Sequence, residues 1–270
     1  MKKLRGIFLK NEYEIGLLRE ANTIVSYVLD RIGDRVEPGI TTMELEELAN
    51  EICAQFKVKP AFKGYQGFPY TLCCSVNDVI VHGFPTEKIL KEGDILSVDM
   101  GVRHKGFFGD SARTFAVGKI AGDASFLMDV TRQCLEKGIE QARPGNNLYD
   151  ISAAIEKHAR KNKCSIIKRF VGHGIGASLH EKPELPNFVP GSKSKIILKK
   201  GMVLAIEPML SLGSDQVQIM ADRWTAKTRD GSLAAHFEHT IAINSNGPEI
   251  LSRTNPDILE EIRHEGKAVS

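Results

Sequence analysis

A ten-residue pattern occurs twice in this chain, just over one hundred residues apart. Residues 90–99 read Leu-Lys-Glu-Gly-Asp-Ile-Leu-Ser-Val-Asp, and residues 198–207 read Leu-Lys-Lys-Gly-Met-Val-Leu-Ala-Ile-Glu. Leucine, lysine, glycine and the β-type apolar positions match in register, and each copy ends on an acid. The segments before them echo each other at nearly the same offset. Leu17, Ala21, Ile24, Val25, Val28, Leu29 and Ile32 form one apolar face and predict a helix over 11–32. Pro38-Gly39 breaks the chain, and Thr41-x-x-Glu44 reads as a capping box opening a helix over 42–56. After Asp123 the order returns: a helical stretch over 123–142, then Pro144-Gly145, then a helix over 147–162. Lys-x-Gly turns before strands are common singly, but a shared offset points to an internal duplication. Each copy reads as two helices followed by antiparallel strands, an α+β pattern. No Pro-, Gly- or Ser-rich linker separates the halves, so residues 1–270 read as one domain. Residues 1–10 form an N-terminal segment and 253–270 a C-terminal tail.

In such a duplication the acidic strand ends face each other across a pseudo-two-fold axis. Asp99 closes the apolar run Ile95-Leu96-Ser97-Val98. A carboxylate buried there loses its hydration at a cost of several kcal/mol unless a cation compensates it or it stays protonated. With a turn centred on His104-Lys105, antiparallel pairing sets Asp99 directly opposite Asp110, two like charges that a metal ion would join. Glu207 is the register equivalent of Asp99, and Pro208 then ends its ladder. Glu238 lies in the alternating segment Ala235–Ala242, a candidate partner strand. Four such carboxylates suit hard, oxygen-preferring dications, to which a histidine adds a borderline ligand.

Composition narrows the class. Thirty-six basic against 34 acidic residues leave a net charge of +2, without the basic excess of a dedicated nucleic-acid binder. No apolar run approaches the ~20 residues of a membrane span. Five scattered cysteines without a C-x-x-C pair fit reduced thiols in the cytoplasm, and neither a disulfide framework nor a structural zinc site.

Gly172-His173-Gly174-Ile175-Gly176-Ala177 matches a dinucleotide fingerprint on paper, but Pro183, Pro186 and Pro190 follow where a long helix should run. The glycines read instead as allowing backbone and substrate to approach His173 closely. No G-x-S-x-G elbow and no His-Glu-x-x-His occurs, which excludes serine hydrolases of that type and the common zinc proteases. His82 ends an apolar strand before a turn. His104, His158, His236 and His264 read as surface or structural.

Taken together, Val81-His82-Gly83-Phe84-Pro85, Ser97–Gly101, Gly109-Asp110, Gly172–Gly176, His180-Glu181-x-Pro183, Ala205-Ile206-Glu207-Pro208 and Phe237-Glu238-His239-Thr240 resemble the type I methionine aminopeptidases, over roughly residues 11–252. These enzymes belong to the pita-bread metallopeptidase superfamily. The resemblance implies a pita-bread fold, with pseudo-two-fold duplicated halves around a central sheet. It implies a dinuclear-metal aminopeptidase that removes the initiator methionine from nascent proteins, through a metal-bridging water with Glu207 as base. Asp110 and Glu238 would bridge the ions, with His173 and Glu207 on one side and Asp99 on the other. His180 would contact the carbonyl oxygen, and His82 would lie beside the scissile nitrogen. The methionine pocket would draw on Tyr65, Phe68, Cys73 and Trp224. Phe62, Gln66 and Leu179 depart from the commoner pattern, where cysteine, histidine and an aromatic are frequent.

Further expectations follow from the resemblance. The ions are Fe2+ or Mn2+ in cells, with Co2+ and Zn2+ also accepted. The enzyme is a cytoplasmic monomer acting co-translationally, which fits contact with the ribosome surface, without a specific nucleic-acid sequence or a membrane partner. Prolidases and aminopeptidase P carry an additional domain before the shared centre, and only about 80 residues precede His82 here. Type II methionine aminopeptidases carry a helical insertion for which the span from Glu207 to Glu238 leaves no room. A non-catalytic binding module of the same fold would have no need of the buried acids.

Overall fold

The computed structural model describes residues 2–4, 6–191 and 194–268. Helix α1, Glu12–Gly33, opens on a capping box in which Asn11 accepts the Glu14 N–H and Glu14 returns the bond. Its buried stripe includes Ile15, Leu18, Ala21, Val25, Val28 and Ile32. Helix α2, Thr42–Gln55, opens on the expected Thr41–Glu44 box. In the second half, α3 spans Gly122–Glu140 and α4 spans Leu148–Lys161, the latter capped reciprocally by Asn147 and Asp150. Each box satisfies helix N–H groups that have no partner within the helix.

The duplication is written in main-chain hydrogen bonds. Leu90 accepts from Gly39 (2.9 Å) and donates to Ile40 (2.8 Å); Leu198 accepts from Gly145 (3.0 Å) and donates to Asn146 (2.8 Å). The cap residues Thr41 and Asn147 bridge Ile89 and Ile197 respectively. In both halves, therefore, the Pro-Gly corner before the second helix is pinned to the segment that leads into the strand holding Asp99 or ending just before Glu207.

In the first half the strands Leu72–Val76, Ile95–His104 and Phe107–Ala116 are antiparallel, with Ile95–His104 central. Helices α1 and α2 cover one face, packing Val25, Leu29, Leu45 and Ile52 on Leu96, Val98, Met100 and Val102. In the second half, Glu181–Leu185, Gly172–Gly174, Val203–Ile206, His239–Asn244 and Gly247–Ile250 pair in that order. Leu127, Leu135, Ile151 and Ile155 of α3 and α4 lie in one apolar core with Leu204, Ile206, Ile241 and Ile243. The halves join where Phe107–Ala116 meets the 234–244 segment. Thr114 Oγ1 donates to the His236 carbonyl (2.8 Å), and the Glu238 N–H donates to the Ala112 carbonyl (2.9 Å). With apolar helices on the outer faces, the polar side chains of the strands collect where the halves meet.

Three expectations change. The hairpin turn is Lys105-Gly106, both at positive φ (46° and 90°), the requirement of a two-residue type I′ turn that glycine meets without strain. The register is therefore Gly101↔Asp110 and Asp99↔Ala112, so the two acids are diagonal neighbours on one face and not directly opposed. The segment holding Glu238 is two short strands, Ala234–His236 and His239–Asn244, with the acid in the break. Finally, the region 253–270 contains helix α5, Pro256–Ala268, whose Leu259 and Ile262 enter the α1–α2 core. The 1–10 segment contains a hairpin of Lys2–Leu4 with Ile7–Leu9. Positions 1, 5, 269 and 270 of these terminal segments lie outside the described residues.

Candidate metal centre

Two adjacent strands break at the same level, and each break carries a glutamate. Ile206 pairs with His239 and Met209 with His236; Glu207-Pro208 and Phe237-Glu238 lie between. Proline at 208 removes a ladder donor, and the Phe237 N–H reaches its carbonyl at 3.4 Å. His173 comes from the short strand Gly172–Gly174, paired on both sides. A Cβ on Gly172 would stand 2.4 Å from the Ala205 carbonyl oxygen, and one on Gly174 2.3 Å from that of Lys182. The glycines around His173 thus admit neighbouring backbone, which holds the ring-bearing strand in place.

Single ligand atoms of Asp110, His173 and Glu238 lie within 4.8 Å of one another. His173 Nε2 is 3.7 Å from Asp110 Oδ2 and 3.6 Å from Glu207 Oε1, too far for direct hydrogen bonds. Asp99 Oδ1, Asp110 Oδ1 and Glu238 Oε1 are buried without a hydrogen-bond partner. Burial pushes the Asp99 carboxyl up to about 7. Burial, then repulsion from Asp99, raises Asp110 and Glu207 well above the usual carboxylate range; Glu238 rises through burial and then Asp110. Burial holds His173 neutral, its pKa lowered to about 3. Its Nδ1 lies 2.9 Å from the Gly174 carbonyl, which can only accept, so the proton sits on Nδ1 and Nε2 turns a lone pair toward the acids. Partnerless carboxylate oxygens beside a ready imidazole lone pair are what a hard dication would satisfy, so the donor set fits divalent metal.

A cavity of about 190 Å³ opens onto these groups. Asp99, Asp110, His173, Glu207 and Glu238 line it together with His82 and His180. The remaining walls are Phe62, Tyr65, Gln66, Phe68, Cys73, Leu179 and Trp224. Phe68 meets Trp224 edge-on at 5.2 Å, and burial keeps the Cys73 thiol protonated. His82 adopts φ 59°, a left-handed conformation rare for a side-chain-bearing residue, and its ring stands edge-on to Phe170 at 5.2 Å. Burial and the nearby His180 lower its pKa to about 4, leaving it neutral. The His180 ring lies 4.3 Å from that of His173, and Tyr65 Oη reaches its Nδ1 at 2.7 Å.

Several contributors escaped the sequence reading. Ser111 Oγ donates to the Glu238 carbonyl (2.7 Å), and Thr240 Oγ1 donates to the Asp110 carbonyl (2.8 Å), clamping the two acids across the junction. A hydroxyl on a strand gives no signal of such a role. His236, read as surface or structural, is 1% exposed with both ring nitrogens unpartnered. Burial and His82 lower its pKa to about 3, so it is a neutral core residue. His104 is also buried, bonded to Glu20 at 2.9 Å.

The carboxylates and one imidazole of this duplicated α+β fold meet at the floor of a small cavity as a candidate divalent-metal site. The chain belongs to metallopeptidase family M24, whose sequence profile matches residues 16–245. It is 49% identical over 247 residues to a methionine aminopeptidase of Clostridium perfringens, covering 91% of this chain and 98% of the relative. Identity to methionine aminopeptidase 1 of Bacillus subtilis is 44%, over 92% and 99% of the two chains. The crystal structure of the Thermotoga maritima methionine aminopeptidase superposes with a TM-score of 0.89 at 45% identity, covering 92% of this chain and 99% of that one. The prolidase of Pyrococcus horikoshii, 19% identical with a TM-score of 0.73, shares the fold alone. Among the described residues no helix is long and apolar enough to cross a membrane.

Proposed function

We propose that this chain is an aminopeptidase that removes an N-terminal methionine, with Asp99, Asp110, His173, Glu207 and Glu238 as the ligands of two divalent ions. The observation that carries the reading is the set of partnerless buried carboxylate oxygens at the floor of a cavity walled by Phe68, Trp224 and Cys73. Near-complete coverage of methionine aminopeptidases at 44–49% identity supports it. When bound, the ions supply Lewis acidity and bring the pKa of a water within reach of neutral pH.

The remaining work falls to side chains. Glu207, which lines the cavity beside the other acids, would take the proton of the attacking water. His180 donates to the substrate carbonyl oxygen as negative charge grows there. His82 stands beside the scissile nitrogen, its position fixed by the 59° backbone and the Phe170 and Trp224 rings. Tyr65, Phe68, Cys73, Trp224, Phe62 and Leu179 enclose the first side chain, where an unbranched thioether suits an aromatic and sulfur-lined slot.

The chain acts as one catalytic domain and a monomer in the cytoplasm. Its substrates are nascent polypeptides met at the ribosome surface. Its ions are Fe2+ or Mn2+, with Co2+ and Zn2+ as workable substitutes, since oxygen-rich ligation does not exclude any of them. The test is hydrolysis of Met-Ala-initiated and X-Pro peptides by protein stripped of metal and reloaded with each ion. Metal-dependent release of methionine supports the reading; cleavage of X-Pro peptides alone overturns it.

A further inference from the structure

The segment His180-Glu181-x-Pro183 contains a glutamate to which the proposed chemistry gives no task. The Glu181 side chain is 4% exposed and its Oε2 lies 2.7 Å from Lys10 Nζ, itself 1% exposed. Its other oxygen accepts the Ser178 N–H at 3.2 Å, so the carboxylate closes the turn 178–181 that holds Leu179 and His180. Lys10 is anchored in turn, donating its N–H to the Gly201 carbonyl at 2.7 Å one residue before the α1 cap. The fit is tight, because a Cβ on Gly176 would stand 2.5 Å from Glu181 Oε1 and 2.6 Å from Lys10 Cε. A buried ion pair adds little net stability over apolar groups of the same volume, so the contribution of this one is sought in the turn it closes.

The ring of His180 is held from the other side by the 2.7 Å contact between Tyr65 Oη and Nδ1. No hydrogen bond to its Nε2 occurs among the described residues, and that atom is left for substrate. A neutral imidazole has one N–H, so a tyrosine donating to Nδ1 leaves the proton on Nε2, the tautomer required to donate to a carbonyl oxygen.

We propose that Tyr65 and the Lys10–Glu181 pair are positioning residues: Tyr65 sets the His180 tautomer with the proton on Nε2, and the ion pair holds the turn that aims the ring. This rests on the reading in which His180 faces the substrate carbonyl.

The test uses the zinc-loaded protein, with 15N NMR of the His180 ring alongside kinetics on a Met-Ala peptide. Wild type should show a protonated Nε2 and an unprotonated Nδ1. Tyr65→Phe should give mixed tautomers and lower kcat by about 10-fold, with KM changed less than about twofold. The double variant Lys10→Met with Glu181→Leu should melt within a few degrees of wild type, since both charges leave together. It should nevertheless show doubled or broadened His180 signals and a reduced kcat. A proton on Nδ1 in wild type, or a Tyr65→Phe variant that keeps both tautomer and kcat, overturns the tyrosine role. A double variant with unaltered His180 signals and kcat overturns the ion-pair role. If wild type fails to cleave the peptide, the functional reading falls, while the ring signals of wild type and variants still decide the positioning claim.

Discussion

Ser111 donates its hydroxyl to the main-chain carbonyl of Glu238 across 2.7 Å, tying a first-half strand to the break that carries a second-half acid. Substituting Ser111 by alanine leaves that buried carbonyl without this donor, a loss of about 1–3 kcal/mol. It should also weaken divalent-metal affinity by about 10-fold, in line with other groups that orient ligands without touching the ion. Denaturant unfolding and calorimetric titration with Mn2+ read the two effects separately.

Asp99 offers a pH signature in the metal-free protein. Its folded pKa of about 7 stands above the ordinary 3.8, so folding takes up a proton in that interval. The contribution is fully present below the unfolded value and is lost as pH rises through 7. Asp99→Asn removes it, and with it the repulsion by which Asp99 raises Asp110, Glu207 and Glu238, which acts in the same direction. The metal-free variant should therefore be more stable than metal-free wild type at pH 8, and the difference should shrink toward pH 4. Using the difference cancels the opposing effect of the buried neutral His173 and His236, which favours folding as pH rises above their folded values of about 3 and is complete near 6.5. Thermal melts across this range, with chelator present, check it; a difference independent of pH would contradict it.

Gly174→Ala places a methyl group 2.3 Å from the Lys182 carbonyl oxygen, in the middle of the strand pairing that presents His173. Overpacking of this kind costs about 1–3 kcal/mol and shifts backbone. Activity should fall further than stability alone explains, because the His173 lone pair moves with the strand. Comparing melting temperature with kcat/KM at saturating metal separates the two.

Trp224→Ala opens the wall that Phe68 and His82 share with it, at ring distances of 5.2 and 6.1 Å. Loss of one aromatic contact on the substrate side chain is worth about 1 kcal/mol or more. KM for Met-Ala peptides should rise about 5- to 10-fold, with a smaller change in kcat and weaker discrimination between Met and bulkier first residues. Steady-state kinetics on paired peptides measure this.

The sequence made the duplication and the helices legible because caps and apolar stripes are local signals. Thr41–Glu44 and the 11–32 stripe lie within a residue or two of the observed α2 and α1 bounds. Register was harder. Moving the turn by one residue, from His104-Lys105 to Lys105-Gly106, shifts Asp110 by two positions, and only the φ preference of Gly106 distinguishes them. The break before His239 was hidden because alternating residues on either side of Glu238 look like one strand. At the site, Asp99, Asp110, Glu207 and Glu238 stood out as acids amid apolar runs. Lys10, Ser111 and Thr240 did not, because their partners are 127–171 residues away; Glu181 stood in a quoted motif, but its ion pair with Lys10 spans 171 residues.

Asp99, Asp110, His173, Glu207 and Glu238 are proposed to hold the divalent ions together. Anomalous diffraction from crystals grown with Mn2+ tests it most directly. Peaks are expected among these five side chains. Peaks only elsewhere in the molecule, or none in this cavity at saturating Mn2+, would contradict it.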